Sequence, residues 1–212
     1  MARIDDYKAA VELGKNALKG KNPKRVADQC GAAFDLAHDG SPELMLKFLN
    51  RDLLISGRDW NISFKDLPDE VPLQRQILIL HYLNGAAGAK PMGEWIAYQE
   101  VPDGKFYLDA FLRRAKNPLV QAFGSHPGNL LPVTKKIYGA EPFDQGDYSV
   151  MVTAFPLIPV VLMLWEGDDE FPPEGNLLFD RSICDILPAE DIAWLAGMII
   201  YPIMGMGFET SK

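Results

Sequence analysis

Cysteine is almost absent: Cys30 and Cys184 are the only two among 212 residues. Two thiols without Cys-x-x-Cys spacing make neither a disulfide framework nor a zinc or iron-sulfur ligand set. They read as small buried hydrophobes in a reducing cytoplasm. Histidine is nearly as scarce. A three-histidine metal site would need all of His38, His81 and His126, which sit at a strand end, within a helix and in a Pro-Gly loop. Positive charge is short as well, 21 Lys and Arg against 29 Asp and Glu for a formal -8. That field repels phosphate backbones and anionic lipid surfaces, so nucleic acid is not an expected partner. The stretch most like a membrane segment, Ile192 to Phe208, is broken by Gly197, Pro202, Gly205 and Gly207. It falls short of the ~20 residues a span needs and reads as a buried C-terminal helix. The opening residues carry no apolar segment behind their charges, so no secretory signal is expected.

What is present is material for one core, with 48% hydrophobic residues and no repeat, low-complexity tract or linker. A single α+β domain with a mainly antiparallel sheet is expected. The segment 5–30 reads as two helices. The first has apolar positions at Val11, Leu13, Ala17 and Leu18, and the second opens with an Asn22 cap and Pro23. Over 32–64, Phe34 and Leu36, then Leu44, Leu46 and Phe48, then Leu53 and Ile55, then Trp60, Ile62 and Phe64 alternate between turn signals, as in a meander with one buried face. The middle, 71–139, is mostly helical. Leu73 to Leu83 forms a largely buried helix, Trp95 to Val101 a strand, Tyr107 to Phe123 an amphipathic helix interrupted at Asn117-Pro118, and Pro132 to Tyr138 a helix capped by Gly139. In 148–208, strands Tyr148 to Phe155 and Pro159 to Trp165 come first. The second of these is apolar throughout and so expected mid-sheet. An acidic turn, a short Leu177-Leu178-Phe179 segment, a cap for a helical turn at Asp180-Arg181-Ser182 and the last helix follow.

Three constellations invite chemistry. The turn Trp165-Glu166-Gly167-Asp168-Asp169-Glu170-Phe171-Pro172-Pro173 clusters carboxylates, and Asp168, Asp169 and Glu170 are candidate ligands for a divalent metal in a hydrolase or lyase. Its spacing is not that of a calcium loop, and a solvated turn is the plainer expectation. His81 lies inside an apolar helix, where an imidazole needs a partner or serves as an axial ligand. Trp95 and Tyr98 before Pro102, Phe106, Tyr107 and Phe111 after it, and Trp165 by the acidic turn could wall a flat hydrophobic cofactor of corrinoid or haem type, although aromatics at strand and helix spacing are more often plain core. Phe123-Gly124-Ser125-His126-Pro127-Gly128 lacks the order of a nucleophile elbow or phosphate loop, and Asn84 to Ala89 lacks a dinucleotide fingerprint. Met198, Met204 and Met206, with the acidic turn, form a surface that suits a protein partner.

Taken together, Leu80-His81-Tyr82-Leu83, Trp95 through Gly104 with Tyr107 and Phe111, the acidic turn, Leu178-Phe179-Asp180-Arg181-Ser182 and Glu190-Asp191-Ile192 resemble a family known as domain of unknown function 3786. Its members are found mainly in anaerobic bacteria and archaea. The family has no established activity or catalytic residues. Some relatives join the domain to a four-cysteine iron-sulfur module like that of corrinoid iron-sulfur proteins, which implies one-carbon or corrinoid metabolism. This chain has no such cysteines. The expectation is thus a non-catalytic binding or accessory protein holding a corrinoid or haem cofactor near His81, Trp95 and Tyr98.

Overall fold

The computed structural model describes residues 4–207, which form an α+β fold with two antiparallel sheets. Contacts divide the chain into two compact units. One holds residues 1–90 with 155–157 and 185–187, and the other holds the remainder.

In the first unit α1 (Ile4–Leu18) turns at Gly20 into α2 (Pro23–Cys30). The Asn22 side chain accepts the Arg25 N–H at 3.1 Å, and Pro23 occupies the first turn, where a missing N–H costs nothing. The buried stripe of α1 is Val11, Gly14 and Leu18, while Leu13, expected on it, is 70% exposed. Gly14 takes that place because a Cβ there would fall 2.8 Å from the Leu80 Cβ. The meander follows as β1 (Ala33–Leu36), β2 (Pro42–Phe48), β3 (Arg51–Ser56) and β4 (Ile62–Phe64), in that spatial order. Leu44 pairs with Ile55 and Leu46 with Leu53, all buried, while Met45 and Lys47 point out. Period-two alternation is therefore realised as one buried face. Helix α3 (Leu73–Gly85) buries Leu78, Ile79, Leu80, Tyr82 and Leu83. The Tyr82 ring stacks on Phe155 at 4.1 Å between centroids, and Phe48 stacks on the same ring. The Tyr82 hydroxyl donates to the Cys30 carbonyl at 2.6 Å.

The second unit is built on the sheet order β5-β9-β8-β7-β6, with β5 (Trp95–Ala97), β6 (Glu141–Pro142), β7 (Tyr148–Phe155), β8 (Ile158–Trp165) and β9 (Glu174–Asp180). The apolar strand β8 lies mid-sheet as expected, with Val160 to Leu164 buried throughout. The strand foreseen from Trp95 to Val101 ends at Ala97. There the Glu100 carboxylate accepts the Ala97 N–H at 2.8 Å and the chain enters a 3-10 turn. The helix foreseen from Tyr107 runs unbroken from α4 (Gly104–Phe111) through a π turn (Leu112–Lys116) into α5 (Asn117–Phe123). Asn117 N–H bonds to the Leu112 carbonyl, five residues back, so the wider turn admits Pro118 without a break. α6 (Leu130–Tyr138) begins two residues before the expected Pro132, and α7 (Ala189–Gly207) completes the unit. Ile192, Leu195, Ile199, Ile200 and Ile203 of α7 are fully buried. Among the described residues no helix is long and apolar enough to cross a membrane. Phe208 and the Met206 side chain lie outside the described residues.

Candidate functional site

The acidic turn is closed by its own carboxylates. Asp168 Oδ1 accepts the N–H groups of Glu170 and Phe171, each at 2.8 Å, and the Asp168 N–H donates to the Phe171 carbonyl at 2.9 Å. These backbone donors hold the Asp168 carboxyl below the usual range. Gly167 permits the fold-back, because a Cβ there would stand 2.6 Å from the Pro173 nitrogen. Glu166 accepts the Tyr148 hydroxyl at 3.1 Å, which raises that phenol, and its N–H donates to Asp147. Asp169 and Glu170 are exposed. Among the described residues no group of three His, Cys, Asp or Glu side chains is arranged to hold a metal ion.

The expected cofactor residues divide between the units: His81 belongs to the first, Trp95, Tyr98 and Trp165 to the second. Tyr98 is completely buried. It stacks on Phe111 at 4.3 Å, meets Phe179 edge-on and donates its hydroxyl to the Ala189 carbonyl at 2.8 Å. Burial pushes that phenol up to about 12. Both its ring and its polar tip are thus committed within the core. Trp95 is half-buried and meets Phe143 edge-on at 5.0 Å, whereas Trp165 is 38% exposed beside the acidic turn. His81 is half-buried on α3, and His38 and His126 are exposed. Cys30 is buried, and burial pushes its thiol up to about 11, which suits packing and not nucleophilic work. Cys184 is half-buried.

A cleft of about 390 Å³ in the first unit was not foreseen. It opens where the α1–α2 turn faces the end of α3. Val26, Leu83 and Ala86, all buried, give it an apolar floor, and Lys21, Asn22, Arg25, Gln29 and Asn84 give it a polar rim. Asn84 anchors this rim. Its Nδ2 donates to the Leu80 and Gly14 carbonyls at 2.8 and 3.1 Å, and its Oδ1 accepts Lys21 Nζ at 3.0 Å. His81 is not among the lining residues. A local trace was available in the sequence: from Lys15 to Arg25 the chain carries Lys15, Lys19, Lys21, Lys24 and Arg25 with no acid between them.

No curated protein and no solved structure matches the chain. A family model described as Domain of unknown function (DUF3786) matches residues 22–201, from the cap of α2 to the later turns of α7, and the chain belongs to that family.

Proposed function

We propose that the chain is a non-catalytic binding or accessory protein of the cytoplasm, and that its first unit takes one edge of a hydrophobic cofactor of corrinoid or haem type. The observation that carries this is the mixed lining of the cleft, apolar at Val26, Leu83 and Ala86, cationic and amide-bearing at Lys21, Arg25 and Asn84. Such cofactors join a flat apolar body to peripheral amides or carboxylates, so one wall matches each part. His81 shares α3 with Leu83 and Asn84 and is the imidazole to test as a ligand. The setting that goes with this reading is anaerobic one-carbon or corrinoid metabolism. Purified protein titrated with haemin and with cobalamin should shift the Soret or corrin bands and retain the cofactor through a desalting column. Alanine at both Lys21 and Arg25 should weaken retention about tenfold. Unshifted spectra with no retention remove the reading.

A second reading has its own observation. Trp165 and Phe171, 38% and 67% exposed, flank the acids of the turn in the second unit. An aromatic pair among carboxylates suits a basic protein segment. Capture of a partner from extract by the wild type, lost in a Trp165→Ala, Phe171→Ala variant, supports it. Equal capture by both counts against it.

A further inference from the structure

A second cleft of about 450 Å³ adjoins the first in the same unit, and the two share Gly20 and Lys21. Its lining includes Lys15, Lys19, Lys21 and Arg58 against Glu12 and Asp59. Lys15 is taken by Glu12 and Asn61, and Arg58 pairs with Asp39. Lys19 and Arg25, one lining each cleft, make no ion pair among the described residues. The first unit as a whole balances thirteen basic against thirteen acidic residues, so these cations stand in no surplus of positive charge. They are gathered at one corner instead. The start of α2 adds little to this corner by itself, since Pro23 has no N–H and the Arg25 N–H is already given to Asn22. Recognition there would fall to side chains.

We infer that the Gly20–Lys21 ridge is straddled by a multiply anionic small molecule, one anionic group beside Arg25 and another beside Lys19, with Lys21 between them. The inference takes from the preceding section only the cleft itself and needs no macrocycle. Gly20 adds no side chain to the ridge, and the space where a Cβ would stand is open, with nothing within 4 Å. Two charged contacts on either side of one lysine favour a ligand with separated charges over a single ion, and the attraction should fall as salt rises. Phosphate and carboxylate groups share this chemistry.

Calorimetric titration of the full chain with tripolyphosphate and, separately, with citrate tests the idea and distinguishes the two sources. One-to-one binding of either is expected, with inorganic phosphate at least tenfold weaker. Lys19→Ala and Arg25→Ala should each weaken binding about tenfold. Lys135→Ala, in the second unit, should change nothing. Binding of no polyanion, equal loss in Lys135→Ala, or loss from only one of the Lys19 and Arg25 variants overturns the straddling ligand. Haemin or cobalamin retained while neither tripolyphosphate nor citrate binds overturns it and leaves the cofactor reading intact. Polyanion binding without macrocycle retention does the reverse.

Discussion

The two units differ most in net charge. The first holds thirteen basic and thirteen acidic residues, the second eight and sixteen, so the whole formal charge of -8 resides in the second. Acids of the second unit are repeatedly tied to the chain around them. Asp180 binds the N–H groups of Met92, Gly93 and Ser182, Asp168 those of Glu170 and Phe171, Asp147 that of Glu166 and Glu100 that of Ala97. In the first unit, Lys19 and Arg25 stand without ion pairs among the described residues, at the rims of two clefts. The lesson is that net charge is a poor guide to partners when it is segregated. The repulsion of anions inferred from composition belongs to the second unit, although acids bound to backbone N–H groups occur in both, as at Asp35, Asp39 and Asp59 of the first.

The sharpest test of that assignment is Asp180→Ala. Asp180 is 1% exposed, and its carboxylate accepts from Met92 N at 2.9 Å, Gly93 N at 2.6 Å, Ser182 N at 3.0 Å and Ser182 Oγ at 2.6 Å. Burial pushes its carboxyl up, and the hydrogen bonds from Ser182, Met92 and Gly93 outweigh that, leaving it below the usual range. Truncation orphans several donors, and a loss of about 3 to 4 kcal/mol in urea unfolding is expected. A carboxyl lowered by folding contributes stability that is present above its unfolded value and lost as pH falls through its folded value. The acid limb of the stability curve should therefore flatten in Asp180→Asn. An unchanged acid limb would mean that this acid does not hold the Met92–Gly93 loop.

Next in size is Gly85→Ala in the first unit. A Cβ there would run into the Ile186 carbonyl oxygen, a backbone contact that cannot rotate away. The gain of about 1 kcal/mol from better helix propensity is overrun by the clash, and a net loss of about 2 to 3 kcal/mol is expected. Hydrogen exchange can then ask whether protection falls first in α1, α3 and the meander. Equal loss across both sheets would break the division into units.

How far these features were legible in the sequence follows from their range. The run Val160 to Leu164 announced a covered strand, and Leu44, Leu46 and Phe48 announced a one-faced meander, because both signals are local periodicities. Leu13 misled because a periodicity count passes over glycine, and it is Gly14 that lets α1 approach Leu80. The strand at Trp95 stopped early through a side chain three residues on, and the helix at Pro118 continued because a π turn absorbed the proline. Neither event leaves a pattern in hydropathy. The clefts combine α1, α2, α3 and the β3–β4 turn, so only their basic stretch could be seen in one segment. Tyr98 is open in the sequence to two readings, pocket wall and plain core, and the structure settles it as core because Phe111, Phe179 and Ala189, two of them distant in sequence, enclose it.

That enclosure supports a smaller prediction. Tyr98→Phe removes a buried hydroxyl from the Ala189 carbonyl while keeping the stack on Phe111, so a loss of about 1 kcal/mol is expected. Tyr82→Phe, the counterpart in the first unit, removes the donor to the Cys30 carbonyl and an acceptor for the Leu157 N–H at 3.3 Å. Its loss should be larger, at about 1 to 2 kcal/mol. Reversal of that order in urea titrations would show that the two buried phenols are not comparable core anchors.

The smallest effect belongs to Asp168, because its turn lies in solvent. Asp168→Asn keeps an oxygen for the Glu170 and Phe171 N–H groups, so the unfolding midpoint should barely move. The readable consequence is electrostatic. With its carboxyl held below the ordinary value by those two donors, the bonds persist at pH values where a free aspartate is largely protonated, and they weaken only as pH falls further. Amide resonances of Glu170 and Phe171 should therefore shift together, with a midpoint below the ordinary aspartate range, and should stay still at that midpoint in Asp168→Asn. A midpoint at the ordinary value would mean that the carboxylate is free in solution. The acidic turn would then resemble the unpaired cations of the first unit, and the contrast between tied acids and available cations would lose its most exposed example.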